Sequence, residues 1–237
     1  MATAQKLRCQ VTRLVDHGEH VYTVDLRPER PAPRFRPGQF LHLALDEYDP
    51  SGFWPESRVF SIASSAAPRD LLRVSYSVRG RFTARMEREL TEGGWVWVKL
   101  PYGEFVIEDT SDIVLFAGGT GITAFTAFLG ELTPAFQHAV YVAYGARSTD
   151  LLICRGLVEA RVGLIPGLRV FYFVERGEPT PNTTVGRLSV AALWPHIAAP
   201  GQATYYLSGP PIMLKTLAGD LRSRGIADGA IRIDAWE

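Results

Sequence analysis

The chain has 237 residues, of which 46% are hydrophobic and 21% charged, as in an ordinary globular protein of one large or two small domains. Its formal net charge is zero and its basic residues are scattered, which argues against nucleic-acid or anionic-membrane binding. Two cysteines and five histidines form no ligand cluster, and no apolar stretch reaches the roughly 20 residues of a spanning helix. From the scattered cysteines and histidines we expect neither a metal centre nor a disulfide framework. The N-terminus has no apolar core of a signal peptide, so we expect a cytoplasmic protein.

The first half of the chain has the pattern of short strands separated by turns. Residues 7–28 predict two strands around a turn at His17–Gly18, and four further strand patterns follow before residue 100. The exception is the stretch TARMEREL, in which Met86 and Leu90 lie four apart among charged residues, as on a short amphipathic helix. Closely spaced strands with one helix favour a small antiparallel β-barrel, which we place in residues 1–109.

The second half alternates strand and helix patterns. Four short apolar runs predict strands: DIVLFA, AVYVAYGA, RVFYFVE and ATYYLSG. The segments between and after these runs have helical patterns. This alternation indicates βαβ units and a parallel sheet covered on both faces, so residues 110–237 are predicted to form an α/β domain.

The stretch FAGGTGITAF follows the first of these runs and opens a helix, and Gly119, Gly121 and Ala124 match the pattern G-x-G-x-x-A. Glycines let backbone approach a pyrophosphate closely, and the free N–H groups of a helix start favour its negative charge. A tight turn without a ligand is the alternative. The acidic residue of the usual dinucleotide site, expected about 20 positions on, is missing, since no carboxylate follows the second run until Asp150. We therefore predict a nucleotide-binding turn outside the standard dinucleotide fold.

A second turn of this kind joins the last apolar run to a helix through Ser208, Gly209, Pro210 and Pro211. Ligands of open α/β sheets bind at the carboxyl ends of the strands, so the two glycine turns are predicted to line one crevice. The alternative role for Ser208 is an N-terminal helix cap.

Two stretches of the first half are candidate ligand sites. Arg58 and Phe60 share one face of the strand pattern RVFS while Ser61 points to the other. A charge and a ring beside a hydroxyl suit a ligand with phosphates and a planar heterocycle, and a solvated arginine on an edge strand is the alternative. Gly80 and Thr83 are predicted to precede the helix, with Thr83 as a cap over an N-terminus that attracts anions. A cap without a ligand is the alternative there.

Four motifs now stand in order: RVFS at 58–61, GxxT at 80–83, GGTGIT at 118–123 and SGPPIM at 208–213. With the stretches FRPGQF, PYGEF and YGARSTDLL and the pair Gly186–Arg187, they resemble the ferredoxin–NAD(P)H reductase family of flavoproteins over nearly the whole chain. The resemblance implies a flavin-binding β-barrel followed by a nicotinamide-binding α/β domain. It favours FAD over FMN, because GxxT is a second clamp for the pyrophosphate.

The resemblance also implies roles for single residues. Arg58 would pair with the flavin pyrophosphate, Phe60 would pack on the isoalloxazine ring, and Ser61 would bond near flavin N5. Ser208 would lie beside the nicotinamide, so that Ser61 and Ser208 flank the hydride path, and Trp236 would either cover the flavin face or anchor the last strand. The other residues that the resemblance assigns to cofactors are Val59, Ser75, Tyr76, Ser77, Gly80, Phe82 and Thr83 for FAD, and Gly119, Thr120, Gly121, Ile122, Thr123, Arg147, Glu175, Arg176, Gly209, Pro210, Pro211 and Met213 for the nicotinamide dinucleotide.

The pair Glu175–Arg176 at the end of the third run bears on the choice of coenzyme. Relatives that use NADPH often have a serine and an arginine here, which hold the 2′-phosphate. Glu175 would repel that phosphate and accept a hydrogen bond from a ribose hydroxyl, whereas Arg147 and Arg176 would favour the phosphate. We expect a preference for NADH. The alternative is that Glu175 only ends a strand in solvent and does not affect the choice of coenzyme.

The function implied is electron transfer from NADH or NADPH through bound FAD to a separate carrier such as a ferredoxin, a Rieske protein or an oxygenase component. One alternative is a reductase that releases free reduced flavin, and another is an electron-transfer subunit docked in a larger complex. The chain departs from common family residues at three positions. Phe60 replaces a frequent tyrosine, Ser208 a usual cysteine and Ala124 a frequent proline.

Overall fold

The computed structural model describes residues 3–180 and 182–234, which fall into two compact units divided between Val106 and Ile107. The sequence pattern placed this boundary after residue 109. The first unit contains the strands β1 (Gln5–Asp16), β2 (Val21–Pro28), β3 (Phe40–Ala44), β4 (Ser57–Ser61), β5 (Leu72–Ser77) and β6 (Trp95–Tyr102), with helix α1 (Arg81–Glu89) between the last two.

These six strands form one antiparallel sheet in the order β4-β3-β6-β1-β2-β5. The two ends of the sheet meet just beyond β4, where the N–H of Ala63 donates to the carbonyl of Arg73 on β5 at 2.8 Å. The sheet is therefore a nearly closed barrel, and the predicted antiparallel barrel is confirmed. Alternate residues such as Leu7, Leu41 and Val98 point inward and form its core.

Helix α1 seals this core. Phe82 and Met86 are buried and join the barrel cluster, as does Leu90 just after the helix. Phe82 extends the predicted Met86–Leu90 face because the helix begins at Arg81. The carboxylate of Glu87 ties the helix to the first hairpin through contacts with His20 and Tyr22 at 2.7 and 2.8 Å.

The second unit is a parallel sheet with helices on both faces, which confirms the predicted α/β class. Its elements are β7 (Ile113–Gly118), α2 (Thr123–Glu131), β8 (Val140–Ala146), α3 (Arg155–Val162), β9 (Leu168–Val174), β10 (Thr183–Val185), α4 (Val190–Leu193), β11 (Thr204–Ser208), α5 (Pro211–Ser223) and β12 (Ile231–Ile233). The strand order is β10-β9-β8-β7-β11-β12. Val114 and Phe116 of the central strand pack with α4 and α5, and the alternate residues face the opposite side. Helices long and apolar enough to cross a membrane are absent from the described residues.

Several predicted elements are shorter than their sequence patterns. Strand β4 ends at Ser61, because the following residues leave it to bond with the β2–β3 connection and with β5. A 3₁₀ turn, Gly119–Ile122, precedes α2. The helical pattern after β8 splits into a 3₁₀ turn, Thr149–Leu151, and α3, and the buried hydroxyl of Tyr144 donates to a carbonyl of that turn.

The β2–β5 pair of the barrel carries a partly buried ion pair whose loss should be measurable. Arg73 donates from two nitrogens to Asp25 at 2.5 and 2.7 Å across the β2–β5 pair. Asp25→Asn removes the charge that compensates Arg73, so the free energy of unfolding should fall by about 3 kcal/mol. Urea denaturation measures this loss. Asp228→Asn, which breaks an exposed pair with Arg222, is the control and should cost less than about 1 kcal/mol. Equal losses in both variants would contradict a structural role for the Arg73–Asp25 pair.

Candidate functional site

The barrel brings four predicted flavin residues together where β4 and β5 meet. Arg58 is exposed, and its guanidinium lies 5.3 Å from the ring centre of Phe82. Phe60 is half-buried, and its ring lies 6.2 Å from that of Tyr76. The guanidinium of Arg58 donates to the carbonyl of Ser57, at 2.9 Å. The end strands of the barrel thus carry a cation beside one ring and a second pair of rings, which suits a ligand with phosphates and a flat ring.

The hydroxyl of Tyr76 is buried and has no hydrogen-bond partner among the described residues. Burial raises the pKa of this tyrosine. A buried polar atom without a partner costs free energy, so it marks a place that a polar ligand atom fits. The neighbouring Ser75 is bonded to Thr23 at 2.7 Å, whereas Val59, Ser61 and Ser77 are half-buried on the same strands.

The start of α1 is open to an anion. The prediction that Thr83 precedes the helix and caps it is wrong, because Thr83 lies in the first turn and its hydroxyl accepts from the N–H groups of Arg79 and Gly80 at 2.9 and 3.1 Å. Gly80, as N-cap, has no side chain to bond the next N–H groups, and nothing lies within 4 Å of where its Cβ would be. Free N–H groups at the start of a nine-residue helix suit a phosphate.

In the second unit the two glycine turns pack directly against each other. A Cβ at Gly121 would lie 2.4 Å from the carbonyl oxygen of Ser208, and one at Gly209 would lie 2.6 Å from Cε of Met213. The turns leave the neighbouring strands β7 and β11 at their carboxyl ends. After β7 the chain passes to β8 on one side and later returns to β11 on the other, which makes this the switch point where open α/β sheets bind ligands. The structure thus brings the two predicted nicotinamide segments together, with Pro210 and Pro211 at the start of α5.

In the glycine turn that follows β7, a ligand can reach the backbone more easily than the side chains. Gly119, Thr120 and Gly121 are half-buried, whereas Ile122 and Thr123 are buried. The hydroxyl of Thr123 donates to the carbonyl of Thr120 at 2.7 Å and is thereby engaged inside the turn. Gly119 has a φ of +56°, a conformation that glycine adopts without strain.

Ser208 forms a buried pair with a carboxyl group. Its hydroxyl donates to Oδ2 of Asp234 at 2.8 Å, and the two residues are 3% and 6% exposed. The role of Ser208 as a helix cap is therefore wrong, since the N-cap of α5 is Pro210 and receives no side-chain bond. Burial raises the pKa of Asp234 to about 7, while the bond from Ser208 opposes the shift. The other carboxyl oxygen, Oδ1, is buried without a hydrogen-bond partner among the described residues.

Sequence analysis missed Asp234. The residue follows β12, a three-residue edge strand, and its N–H donates to the carbonyl of Leu207 on β11 at 2.9 Å. The available signal was the alternating run IRID after the last helix, which reads as a short strand ending in an acid. Trp236, the predicted aromatic gate or anchor, lies outside the described residues.

The predicted coenzyme-selecting residues meet at the ends of β8 and β9. The N–H of Arg176 donates to the carbonyl of Arg147 at 2.9 Å. The carboxylate of Glu175 lies 3.7 Å from the guanidinium of Arg187. Arg187 follows Gly186, whose N–H donates to the carbonyl of Val174 on β9 at 2.8 Å. The pairing of the short strand β10 with β9 therefore positions Arg187 beside Glu175. Within residues 3–180 and 182–234, three or more metal-ligating side chains are nowhere grouped so as to hold a metal ion.

Comparison with known proteins agrees with this geometry. Residues 115–218 match the family model of the oxidoreductase NAD-binding domain. Over 98% of its length the chain is 26% identical to the reductase component of propane 2-monooxygenase from Rhodococcus jostii (strain RHA1), of which it covers 64%. It is 30% identical over 211 residues to the reductase component of phenol 2-monooxygenase from Pseudomonas sp. (strain CF600), covering 86% of this chain and 58% of that one. The chain thus spans only part of the length of the curated relatives that it matches.

Solved structures share the fold over almost the whole chain. A ferredoxin NADP⁺ reductase from Neisseria gonorrhoeae, with bound FAD and NADP, matches 99% of both chains with a TM-score of 0.79 and 20% identity. The cytochrome P450 reductase of Amycolatopsis matches 100% of this chain and 71% of its own with a TM-score of 0.84 and 21% identity.

The chain therefore shares with these structures the fold of an antiparallel barrel followed in sequence by a parallel α/β unit. The family model and the relatives confirm the resemblance to ferredoxin–NAD(P)H reductase-like flavoproteins that the sequence predicted.

The raised pKa of Asp234 gives stability a specific pH dependence. Because burial moves this pKa from 3.8 to about 7, the folded chain holds a proton there more tightly than the unfolded chain does. The contribution of Asp234 to the free energy of unfolding should therefore decline as pH rises from about 4 to about 7. Asp234→Asn stays neutral and should lose this decline, as urea denaturation at several pH values will show. Exposed Asp228→Asn is the control, and a decline in Asp234→Asn equal to that of the wild type would contradict the assignment.

Proposed function

We propose that this chain is an NAD(P)H-dependent flavoprotein oxidoreductase that passes electrons through bound FAD to a separate carrier, such as a ferredoxin, a Rieske protein or an oxygenase component. The observation that supports the proposal is that each unit brings together residues whose chemistry suits a nucleotide. The barrel has the charged and aromatic residues of its end strands and the open start of α1, and the parallel sheet has the paired glycine turns with the Ser208–Asp234 pair. The names of the relatives, which are reductase components of oxygenases, support the same role.

The barrel residues fit FAD by their chemistry. Arg58 would hold the pyrophosphate by charge-assisted hydrogen bonds, and the free N–H groups of the first turn of α1 would hold it from the other side. Phe60 would pack against the flavin ring, and the buried hydroxyl of Tyr76 would gain the partner it lacks in the protein alone. When bound, flavin accepts a hydride and returns single electrons, which a two-electron donor and a one-electron acceptor require.

The second unit would bind and orient the nicotinamide coenzyme. Gly119 and Gly121 let its pyrophosphate approach the backbone, where the N–H groups of the turn face it. The hydroxyl of Ser208 is held by Asp234 in one orientation, so it would contact the nicotinamide without losing further rotational freedom. The predicted pairing of Ser61 and Ser208 along the hydride path remains a proposal.

We place the protein in the cytoplasm. Cys9 and Cys154 are thiols, as is usual in a reducing compartment. Cys9 lies in the barrel core, where burial raises the pKa of its thiol and makes it unreactive.

The function is tested on the purified full-length chain. Bound FAD should give a yellow protein with one FAD per chain after gel filtration, and NADH should then reduce ferricyanide. A colourless protein whose NADH oxidation needs added flavin would instead make flavin a substrate. A protein that binds neither flavin nor NADH would overturn the proposal. Reduction of ferredoxin, Rieske and oxygenase components then distinguishes the acceptors.

Arg58→Ala should weaken FAD binding. A charge-assisted bond to phosphate is worth about 1.5–3 kcal/mol, so the dissociation constant should rise about 10- to 150-fold. Equilibrium dialysis measures it. Arg222→Ala, which removes an exposed arginine of the second unit, should leave FAD affinity unchanged. Equal affinity in the Arg58 variant and the wild type would remove Arg58 from the phosphate site.

Glu175→Ser should move coenzyme preference towards NADPH. The change removes a carboxylate that repels the 2′-phosphate. It also releases Arg187 from its ion pair, so both effects favour binding of the 2′-phosphate of NADPH. The readout is the ratio of kcat/KM for NADPH and NADH, with Glu178→Ser as the control. A wild type that favours NADPH by about tenfold would contradict the predicted preference for NADH.

A further inference from the structure

The outer wall of the barrel carries a row of basic side chains that spans three strands. Lys99 on β6 lies directly opposite Lys6 on β1 and opposite His42 on β3. Their chain neighbours point into the core, so these three side chains point outward. Arg8, two residues along β1, lies on the same face beside exposed Trp95. We name Lys6, Arg8, Trp95 and Lys99 the cationic barrel face, and leave out His42 because burial lowers the pKa of its imidazole.

Aromatic rings hold these cations in place without neutralising them. The ammonium of Lys6 lies 4.1 Å from the ring centre of Tyr48, and that of Lys99 lies 5.3 Å from the ring centre of Tyr102. The guanidinium of Arg8 lies 4.6 Å from the ring of Trp95. A ring attracts a cation through its quadrupole but leaves the net charge unchanged. The face therefore keeps its positive charge.

No ion pair among the described residues joins a carboxylate to these cations, Lys6, Arg8 and Lys99. Nε of Arg8 is also buried without a hydrogen-bond partner there. Like charges directly opposite on neighbouring strands are destabilising, so the Lys6–Lys99 pair works against the stability of the fold. A bound anionic surface would remove this cost.

The cationic barrel face is separate from the predicted flavin residues. In the strand order, β1 and β6 are the central pair, whereas Arg58 and Tyr76 belong to the end strands β4 and β5 that meet at the seam. The face therefore lies on the opposite wall of the barrel. A molecule bound there would leave the seam uncovered.

We propose that the cationic barrel face docks an acidic protein surface rich in Asp and Glu, and that this contact anchors the chain in an assembly. The contact is distinct from the place at which electrons leave the flavin, so the inference goes beyond the proposed function. Trp95, 47% exposed, supplies an apolar anchor between the charges. Tryptophan, tyrosine and arginine are the residues enriched at protein interfaces, and charge complementarity selects the acidic partner.

Binding of poly-L-glutamate to the full-length chain, followed by isothermal titration calorimetry, tests the proposal. The wild type should bind, and its affinity should fall as salt rises because exposed charges are screened. Lys99→Gln should weaken binding at least about fivefold. The same change should leave the free energy of unfolding unchanged or raise it, since it relieves repulsion with Lys6. Lys215→Gln, at an exposed lysine of α5, is the matched control and should change neither quantity.

Other outcomes would overturn the docking proposal. They are no binding of poly-L-glutamate by the wild type, equal binding by Lys99→Gln, or a loss of stability in Lys99→Gln that matches its loss of binding. Tighter binding of oligo(dT) or of phosphatidylserine vesicles would assign the face to nucleic acid or membrane. NADH–ferricyanide activity should be equal in all variants, and its absence from the wild type would count against the proposed function alone.

Discussion

The second unit depends on the absence of side chains where its two central turns cross. A Cβ at residue 121 would lie 2.4 Å from the carbonyl oxygen of Ser208, and a Cβ at residue 118 would lie 2.6 Å from the sulfur of Met213. Glycine at both positions lets the turns close on each other beyond β7 and β11. That contact fixes the floor of the crevice, and with it the position of Ser208 and the carboxyl group it binds.

The sequence was sufficient to predict the fold class because the signals of the large elements are local. Continuous apolar runs mark the central parallel strands, and alternating runs with turns mark the barrel. Strands β10 and β12 have three residues each, so their patterns are too short to show which strand each one pairs with. The site features that depend on them were missed for the same reason. Asp234 reaches Ser208 only through β12, and Arg187 reaches Glu175 only through β10.

Two hydroxyl groups show why local capping rules gave the wrong partners. Thr83 accepts bonds from the backbone N–H groups that precede the helix, so it completes the first turn from within and leaves the next N–H groups free. Ser208 donates to a carboxyl group 26 residues away, which no sequence window around the serine contains. In both cases the hydroxyl leaves a helix start uncapped, and an uncapped start is what an anionic ligand needs.

Strand β12 also links the ionisation of the crevice to local opening of the sheet. Among the described residues, β12 pairs only with β11, over three residues, so it belongs to the parts of a sheet that open at low free energy. Opening hydrates Asp234, and an ionised carboxylate gains more from hydration than a neutral one. Amide hydrogen exchange in β12 should therefore accelerate as Asp234 loses its proton. A coenzyme held against Ser208, as proposed above, would favour the closed strand, so the edge of the sheet would respond to both protons and ligand.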